Sequence, residues 1–105
     1  MEKREDIAKQ SPTESELIKK AFGEVLARHR SEAGFQQRPF SRVVGISNSH
    51  LRGIEAGNTS PTLVTLFKLA STLEESPRDL IGEVCDEVYK MRPTTSLEYH
   101  RPRKK

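Results

Sequence analysis

The chain has 105 residues, 33% hydrophobic and 31% charged, which predicts one small packed domain with polar extensions and no separate sensor domain. A single cysteine excludes an intramolecular disulfide and a cysteine metal cluster. Because no apolar run is long enough to cross a bilayer and the charged start lacks the apolar stretch of a signal peptide, we expect a cytoplasmic protein without membrane contact.

The net charge of +3 is unevenly distributed along the chain. Residues 28–59 carry five basic residues against two acidic ones, residues 92–105 carry five against one, and the other segments are acidic. A central surface that meets a polyanion accounts for this pattern, and so does an ordinary solvated surface of mixed charge.

The packed domain is predicted over residues 11–91, after a flexible arm at residues 1–10 that lacks apolar periodicity. Its start resembles a capping box, with Ser11 as the cap, Pro12 at the first helical position and Glu14 three residues after the serine. Apolar residues then recur at helical spacing as far as the capping Gly34, which predicts a first helix over Thr13 to Ala33. The stripe consists of Leu17, Ile18, Ala21, Phe22, Val25 and Leu26.

A second, short helix is predicted over Gln36 to Val44. Gly45 follows directly and ends it, because glycine readily adopts the left-handed conformation that terminates helices. The apolar residues expected on one side of this helix are Phe40, Val43 and Val44.

A third helix is predicted over Asn48 to Ala56, with Ser47 as its cap and Gly57 at its end. Leu51 and Ile54 face inward at helical spacing. Two short helices joined by a tight glycine-containing turn can place the second helix in the major groove of DNA, although small helical bundles also contain such pairs.

Two further helices complete an all-α domain of five helices with long first and fifth members, and no segment alternates as a strand does. Thr62 caps the fourth helix, whose apolar residues are Leu63, Leu66, Phe67, Leu69, Ala70 and Leu73. The fifth runs from Ser76-Pro77 to about Met91 and carries Leu80, Ile81, Val84, Cys85, Val88 and Tyr89. Residues 92–105 are predicted to be a disordered basic tail, which either adds non-specific phosphate contacts or only aids solubility.

From Phe22 to Ile81 the sequence resembles the phage-repressor-like (Cro/C1, Xre) helix-turn-helix family of transcriptional regulators. The resemblance implies a compact lambda-repressor-like domain whose third helix contacts DNA bases, commonly as a dimer on a palindromic site. The residues that carry it are Phe22-Gly23-Glu24, Arg30, Gly34, Gln37, Val44-Gly45-Ile46-Ser47, Leu51, Ile54-Glu55-Ala56-Gly57, Pro61 and Leu66-Phe67-Lys68-Leu69-Ala70.

By this resemblance the third helix is the recognition helix. An Asn such as Asn48 can pair bidentately with adenine, and an Arg such as Arg52 with guanine. His50 either touches a phosphate or flanks the helix start. The expected DNA-contacting residues in and before this helix are Ser47, Asn48, Ser49, His50, Arg52 and Gly53.

Gln37 matches the family position whose side chain and backbone approach phosphate from the start of the second helix. The sequence departs from the family there, because Gln36 replaces the usual Ser or Thr and Pro39 disfavours helical geometry at the preceding residue. The second helix therefore has an alternative start at Pro39, which would weaken the role of Gln37. Further candidate phosphate contacts are Arg38, Arg42 and the backbone amides of Asn58 and Thr59.

Two further expectations concern charge and close approach. By resemblance, Arg30 and Glu55 form a partly buried ion pair that joins the first helix to the end of the third. Gly53 stands where family members often carry a base-contacting side chain. Either the glycine permits close approach of the helix to the groove, or the protein does not discriminate between bases at that position.

The fifth apolar stripe has two interpretations, packing on the first helix or a dimer interface that doubles the contact with a palindrome. Cys85 within it acts as a small hydrophobic residue or, less simply, as a redox sensor. The residues assigned to the interface are Leu80, Ile81, Val84, Cys85 and Val88.

The sequence thus predicts a sequence-specific regulator of transcription, a repressor that binds double-stranded DNA as a homodimer. No enzyme, cofactor or metal site is expected, since His29, His50 and His100 lack metal-ligand spacing and no catalytic set stands out. The alternative is an antitoxin or accessory module that uses the same fold to hold another regulatory protein.

Overall fold

A computed structural model of the protein describes residues 12–91, and these residues form five α-helices and no β-strand, so the all-α five-helix class is confirmed. The predicted arm and basic tail lie outside the described residues. Over residues 12–91, none of the helices combines the length and apolar character that crossing a bilayer requires. The helices are α1 (Glu14–Glu32), α2 (Gln37–Val44), α3 (Asn48–Glu55), α4 (Leu63–Thr72) and α5 (Pro77–Met91).

The start of α1 differs from the predicted one. Thr13 is the N-cap: its Oγ1 accepts the Glu16 N–H at 3.1 Å, and the Glu16 carboxylate accepts the Thr13 N–H at 3.0 Å. The sequence holds two overlapping capping boxes, Ser11 to Glu14 and Thr13 to Glu16, and the second is used. Because the backbone of Thr13 is extended, the predicted Ser11 cap is wrong and Pro12 precedes the helix.

Glycines end α1, α2 and α3 at the predicted positions. Gly34, Gly45 and Gly57 have φ values of 83°, 92° and 80°, in the left-handed region that favours glycine. After α1, the Gly34 N–H donates to the Ser31 carbonyl at 2.9 Å and the Phe35 N–H donates to the Arg30 carbonyl at 3.1 Å. These two bonds form a Schellman motif, which satisfies carbonyls at the helix end.

The core lies where α1 packs against α3 and α5, and where α2 packs against α3 and α4. Burying one large aliphatic or aromatic side chain contributes about 1.5–3 kcal/mol, so the helices are held mainly by this cluster. Its buried hydrophobic residues are Ala21, Phe22, Val25, Leu26, Phe40, Val44, Leu51, Ile54, Leu66, Leu69, Ala70, Leu73, Leu80, Val84 and Val88.

The predicted dimer interface on α5 needs correction. Leu80, Val84 and Val88 are buried within the chain, on a helix that packs along α1, so they are unavailable to a partner. Their position agrees with the alternative interpretation, packing on the first helix. Ile81 and Cys85 lie on the exposed side of α5.

Four other residues predicted on apolar stripes are exposed. Val43 on α2, Leu63 and Phe67 on α4, and Tyr89 on α5 retain more than half of their accessible surface. Each helix is covered by its neighbours on one side only, and the apolar stripe of the sequence is wider than that covered side. Val64, next to Leu63, is exposed as well.

Candidate nucleic-acid interface

The turn between α2 and α3 spans three residues and fixes the relation of the two helices. At the end of α2, the N–H groups of Gly45 and Ile46 both donate to the Ser41 carbonyl, at 2.8 and 3.0 Å. Ser47 then caps α3, because its Oγ accepts the His50 N–H at 3.0 Å. Ser47 is thus engaged at the helix start, and α3 begins at the residue predicted from the sequence.

The polar side of α3 is turned away from the body of the protein. Leu51 and Ile54 are completely buried, and they anchor the helix to the core. Asn48 and Gly53 are partly exposed, while the residues fully exposed on this side are Ser49, His50 and Arg52. The predicted base-contacting side chains therefore lie on an accessible surface.

A basic concavity of about 760 Å³ lies where the starts of α2 and α3 meet. Of the residues between 12 and 91, three with guanidinium groups line it and none with a carboxylate does. A concave surface with this charge attracts a polyanion such as a phosphodiester backbone. The residues that line the basic concavity are Arg30, Gln36, Gln37, Arg38, Pro39, Asn48 and Arg52.

Glu55, the last residue of α3, accepts hydrogen bonds from two other helices. Arg30 of α1 donates from Nε to Oε2 at 2.6 Å and from Nη2 to Oε1 at 3.0 Å. Gln37 of α2 donates from Nε2 to Oε1 at 2.8 Å. The Arg30 guanidinium also donates from Nη1 to the Phe35 carbonyl at 2.7 Å. Arg30 and Glu55 therefore form the pair expected of them, and Gln37 joins it, which the sequence analysis missed.

Of the two predicted starts of α2, at Gln36 or at Pro39, the structure shows the earlier one. Gln36 is the N-cap, without a side-chain capping hydrogen bond, and Gln37 is the first helical residue. Pro39 is accommodated in the first turn because an N–H at that position has no intrahelical partner in any case. The alternative start at Pro39 is wrong, and Gln37 keeps its place at the helix start with one amide hydrogen bonded to Glu55.

The Asn48 side chain does not hold the orientation that adenine pairing requires. Its Oδ1 is buried and has no hydrogen-bond partner within residues 12–91. Bidentate pairing with adenine uses the amide oxygen as acceptor and the amide nitrogen as donor. The side chain must turn before it can pair in that way.

The remaining predicted contacts are divided between exposed side chains and the loop after α3. Arg38 and Arg42 are exposed on α2. The Asn58 N–H donates to the Gly53 carbonyl at 2.9 Å, so the prediction that this amide is available to phosphate is wrong. Thr59 lies beside α3, with its Cγ2 3.6 Å from where a Cβ on Gly53 would stand.

Gly23 is a structural residue that the sequence analysis did not single out, although it lies in the motif Phe22-Gly23-Glu24. A Cβ there would stand 2.6 Å from the carbonyl oxygens of both Ile54 and Glu55. The α1 backbone therefore rests directly on the end of α3. A glycine inside a strongly apolar helical stripe was the sequence signal for this contact.

Comparison with known proteins gives consistent matches. A helix-turn-helix family profile matches residues 26–80. An HTH-type transcriptional regulator of Sinorhizobium fredii, y4dJ, is 34% identical over 64 residues, which cover 61% of this chain and 83% of that protein.

Solved structures are similar as well. The restriction-modification controller protein C.AhdI from Aeromonas hydrophila is 32% identical, with a TM-score of 0.57 over 59% of this chain and 94% of that one. An HTH_3 family transcriptional regulator from Vibrio cholerae is 31% identical, with a TM-score of 0.60 over 65% of this chain and 38% of that one. The clp gene regulator ClgR from Corynebacterium glutamicum, 20% identical with a TM-score of 0.67 over 70% of this chain and 78% of that one, shares the fold.

Proposed function

Because the chain belongs to the Cro/C1-type helix-turn-helix family of DNA-binding transcriptional regulators, we propose that it is a repressor that binds a palindromic operator as a homodimer through α3. The observation that carries the proposal is the exposed polar side of α3 beside the basic concavity. An acidic or self-packed surface at this position would have excluded DNA.

Base recognition falls mainly on Arg52 in this proposal. Arg52 is exposed on α3 and lines the basic concavity, and a guanidinium can donate to O6 and N7 of one guanine. Ser49 and His50 are exposed on the same side and supply shorter contacts. Asn48 contributes once its amide turns outward on binding.

Phosphate contacts come from the start of α2. Gln37 is held by Glu55, and Arg38 stands next to it on the concavity, so both approach the backbone on one side of α3. Arg42 and the Thr59 amide extend this contact on either side of the recognition helix. Such contacts position the protein and carry no sequence information themselves.

Size and geometry support the homodimer and the repressor role in this proposal. One recognition helix covers only a few base pairs, so two copies on a palindrome are needed for a selective site. Occupancy of a promoter is sufficient to block transcription, so repression requires no surface beyond the one that binds DNA.

The test is selection of bound duplexes from a random pool, followed by titration of the selected site with three proteins: wild type, Arg52→Ala and Arg78→Ala. Arg78 is an exposed arginine of α5, so its variant controls for loss of one positive charge. We expect Arg52→Ala to lose about 1–3 kcal/mol of discrimination, a factor of roughly 5 to 150, and Arg78→Ala to keep it.

A selected motif without two-fold symmetry would contradict the palindromic operator, and equal discrimination by Arg52→Ala would contradict the assignment of α3. If wild type selects no sequence but co-purifies stoichiometrically with another protein from its own host, the accessory-module alternative replaces the regulator.

A further inference from the structure

The outer side of α4 carries an apolar surface that nothing within residues 12–91 covers. Leu63, Val64 and Phe67 are 69%, 65% and 55% exposed, and we call these three residues the α4 surface. The opposite side of the same helix is buried in the core through Leu66, Leu69, Ala70 and Leu73. Apolar residues on both sides of a helix indicate a second packing partner.

The chain segment that carries the α4 surface is almost free of charge. Between residues 56 and 73 the single charged residue is Lys68, in a chain that is 31% charged overall. Depletion of charge is the compositional mark of the central part of a protein interface. An acidic or basic partner, or an anionic lipid surface, would call for complementary charges that this segment lacks.

We propose that the α4 surface is the two-fold interface between two copies of this chain, a proposal that rests on the proposed function and names the surface through which the homodimer forms. A two-fold contact places the same patch of each copy against the other, so the patch must complement itself. A neutral apolar patch meets this condition because its two copies do not repel each other.

The link between α3 and α4 makes this position suitable for DNA binding. The loop after α3 is held to the recognition helix by the Asn58 N–H on the Gly53 carbonyl, and Thr59 packs beside Gly53. α2 packs against both α3 and α4, which holds the two helices in a fixed relation to each other. A dimer formed there sets the separation of the two recognition helices, which must match half-sites about 34 Å apart.

The size of the α4 surface predicts a weak dimer. Three exposed side chains of this kind amount to on the order of 300 Å² per copy, against about 800 Å² per partner in a standard interface. We expect dissociation in the micromolar range, with DNA completing the assembly.

The experiment is sedimentation of the full chain without DNA, over a range of concentrations, for wild type, the double variant Leu63→Ser/Phe67→Ser, and the control Ile81→Ser. Ile81 is an exposed apolar residue of α5, on the helix first predicted to dimerise. We expect wild type to dimerise, the double variant to dissociate at least tenfold more readily, and the control to behave as wild type. Circular dichroism melting verifies that both variants are folded, and the single variant Phe67→Lys replaces the double one if that protein unfolds.

A wild type that stays monomeric to about 1 mM would overturn the proposal, and so would a dimer broken by Ile81→Ser and kept by the α4 variants. Because the sedimentation measurement contains no DNA, its result does not depend on whether the protein binds DNA. A dimer that forms through α4 but selects no DNA refutes only the proposed function. On the selected duplex, the α4 variants should lose affinity for the full palindrome and keep wild-type affinity for an isolated half-site.

Discussion

The guanidinium of Arg30 and the carboxylate of Glu55 form two parallel hydrogen bonds, which join the long first helix to the last residue of α3. Their side chains are only 15% and 7% exposed. A buried pair of this kind contributes little net free energy when intact, but removal of one partner leaves the other charge uncompensated. The pair therefore fixes where α3 stands on the protein.

Replacement of Arg30 by alanine should lower the free energy of unfolding by about 3–5 kcal/mol, because Glu55 is then left buried with only Gln37 as a donor. Urea denaturation measures this change. The control is Lys20→Ala, which breaks the exposed pair of Lys20 with Glu24 and should cost less than about 1 kcal/mol. Equal costs for the two variants would contradict a structural role for the buried pair.

Substitution of Gly23 by alanine should destabilise the protein although alanine is the better helix former. The added Cβ would stand 2.6 Å from two backbone carbonyl oxygens of α3, so the helices must move apart, at a cost of about 1–3 kcal/mol. Gly82→Ala on α5 is the matched control, since within residues 12–91 no other helix or loop comes within 4 Å of its Cβ position and a gain of up to about 1 kcal/mol is expected. The melting temperature should therefore fall for Gly23→Ala and rise for Gly82→Ala. If both variants shifted in the same direction, the close contact at Gly23 would be refuted.

How far the sequence predicted this structure depended on the range of the interactions involved. Helical periodicity, caps and terminating glycines are local, and they predicted the five helices, including the start of α3 at Asn48. The Thr13 cap was missed because two capping boxes overlap, and only the fold selects between them. The exposure of Phe67 was missed because the number of neighbours that cover a helix is a tertiary property.

The side-chain contacts that were missed, at the candidate site and elsewhere, are long-range as well. Gln37 and Glu55 are 18 residues apart, and His29 lies 46 and 54 residues from its two glutamate partners. No local sequence pattern predicts contacts over such separations. The Arg30 pair was expected only by resemblance to a family. Positions of charged partners thus required the fold, whereas positions of helices did not.

Gly53→Ala should separate stability from DNA binding. A Cβ at Gly53 would make only an ordinary contact with Thr59, at 3.6 Å, so the fold itself has room for alanine. We expect a gain of up to about 1 kcal/mol in unfolding free energy and weaker binding to the selected duplex, because the glycine permits close approach of α3 to the groove. Unchanged affinity would favour the other interpretation, indifference at that base pair.

His29 lies between two carboxylates at the junction of α1 with α5. Its Nδ1 is 2.7 Å from an oxygen of Glu75 and its Nε2 is 2.8 Å from an oxygen of Glu83, which also accepts from Arg28 at 3.2 Å. Burial alone would lower the pKa of His29, but the hydrogen bonds and charges of Glu83 and Glu75 outweigh it and raise the pKa above 6.5. The hydrogen bond with His29 lowers the pKa of Glu83 below 4.5, against the opposing effect of burial.

These shifts predict that stability decreases on the alkaline side. Because the folded-state pKa of His29 is raised, its contribution is complete below about 6.5 and is lost as pH rises through the folded-state value. The depressed pKa of Glu83 adds a contribution that is complete above about 4.5 and is lost as pH falls further.

The test is urea denaturation of wild type and of His29→Gln at pH 6 and at pH 8.5. From the lower to the higher pH, the unfolding free energy of wild type should fall by up to about 1.5 kcal/mol more than that of His29→Gln, since glutamine keeps hydrogen-bonding groups there without titrating. The difference between the two proteins isolates His29 from other groups that titrate in this interval. A difference that is the same at both pH values would mean that the two glutamates hold a neutral imidazole and that no charge is stabilised at this junction.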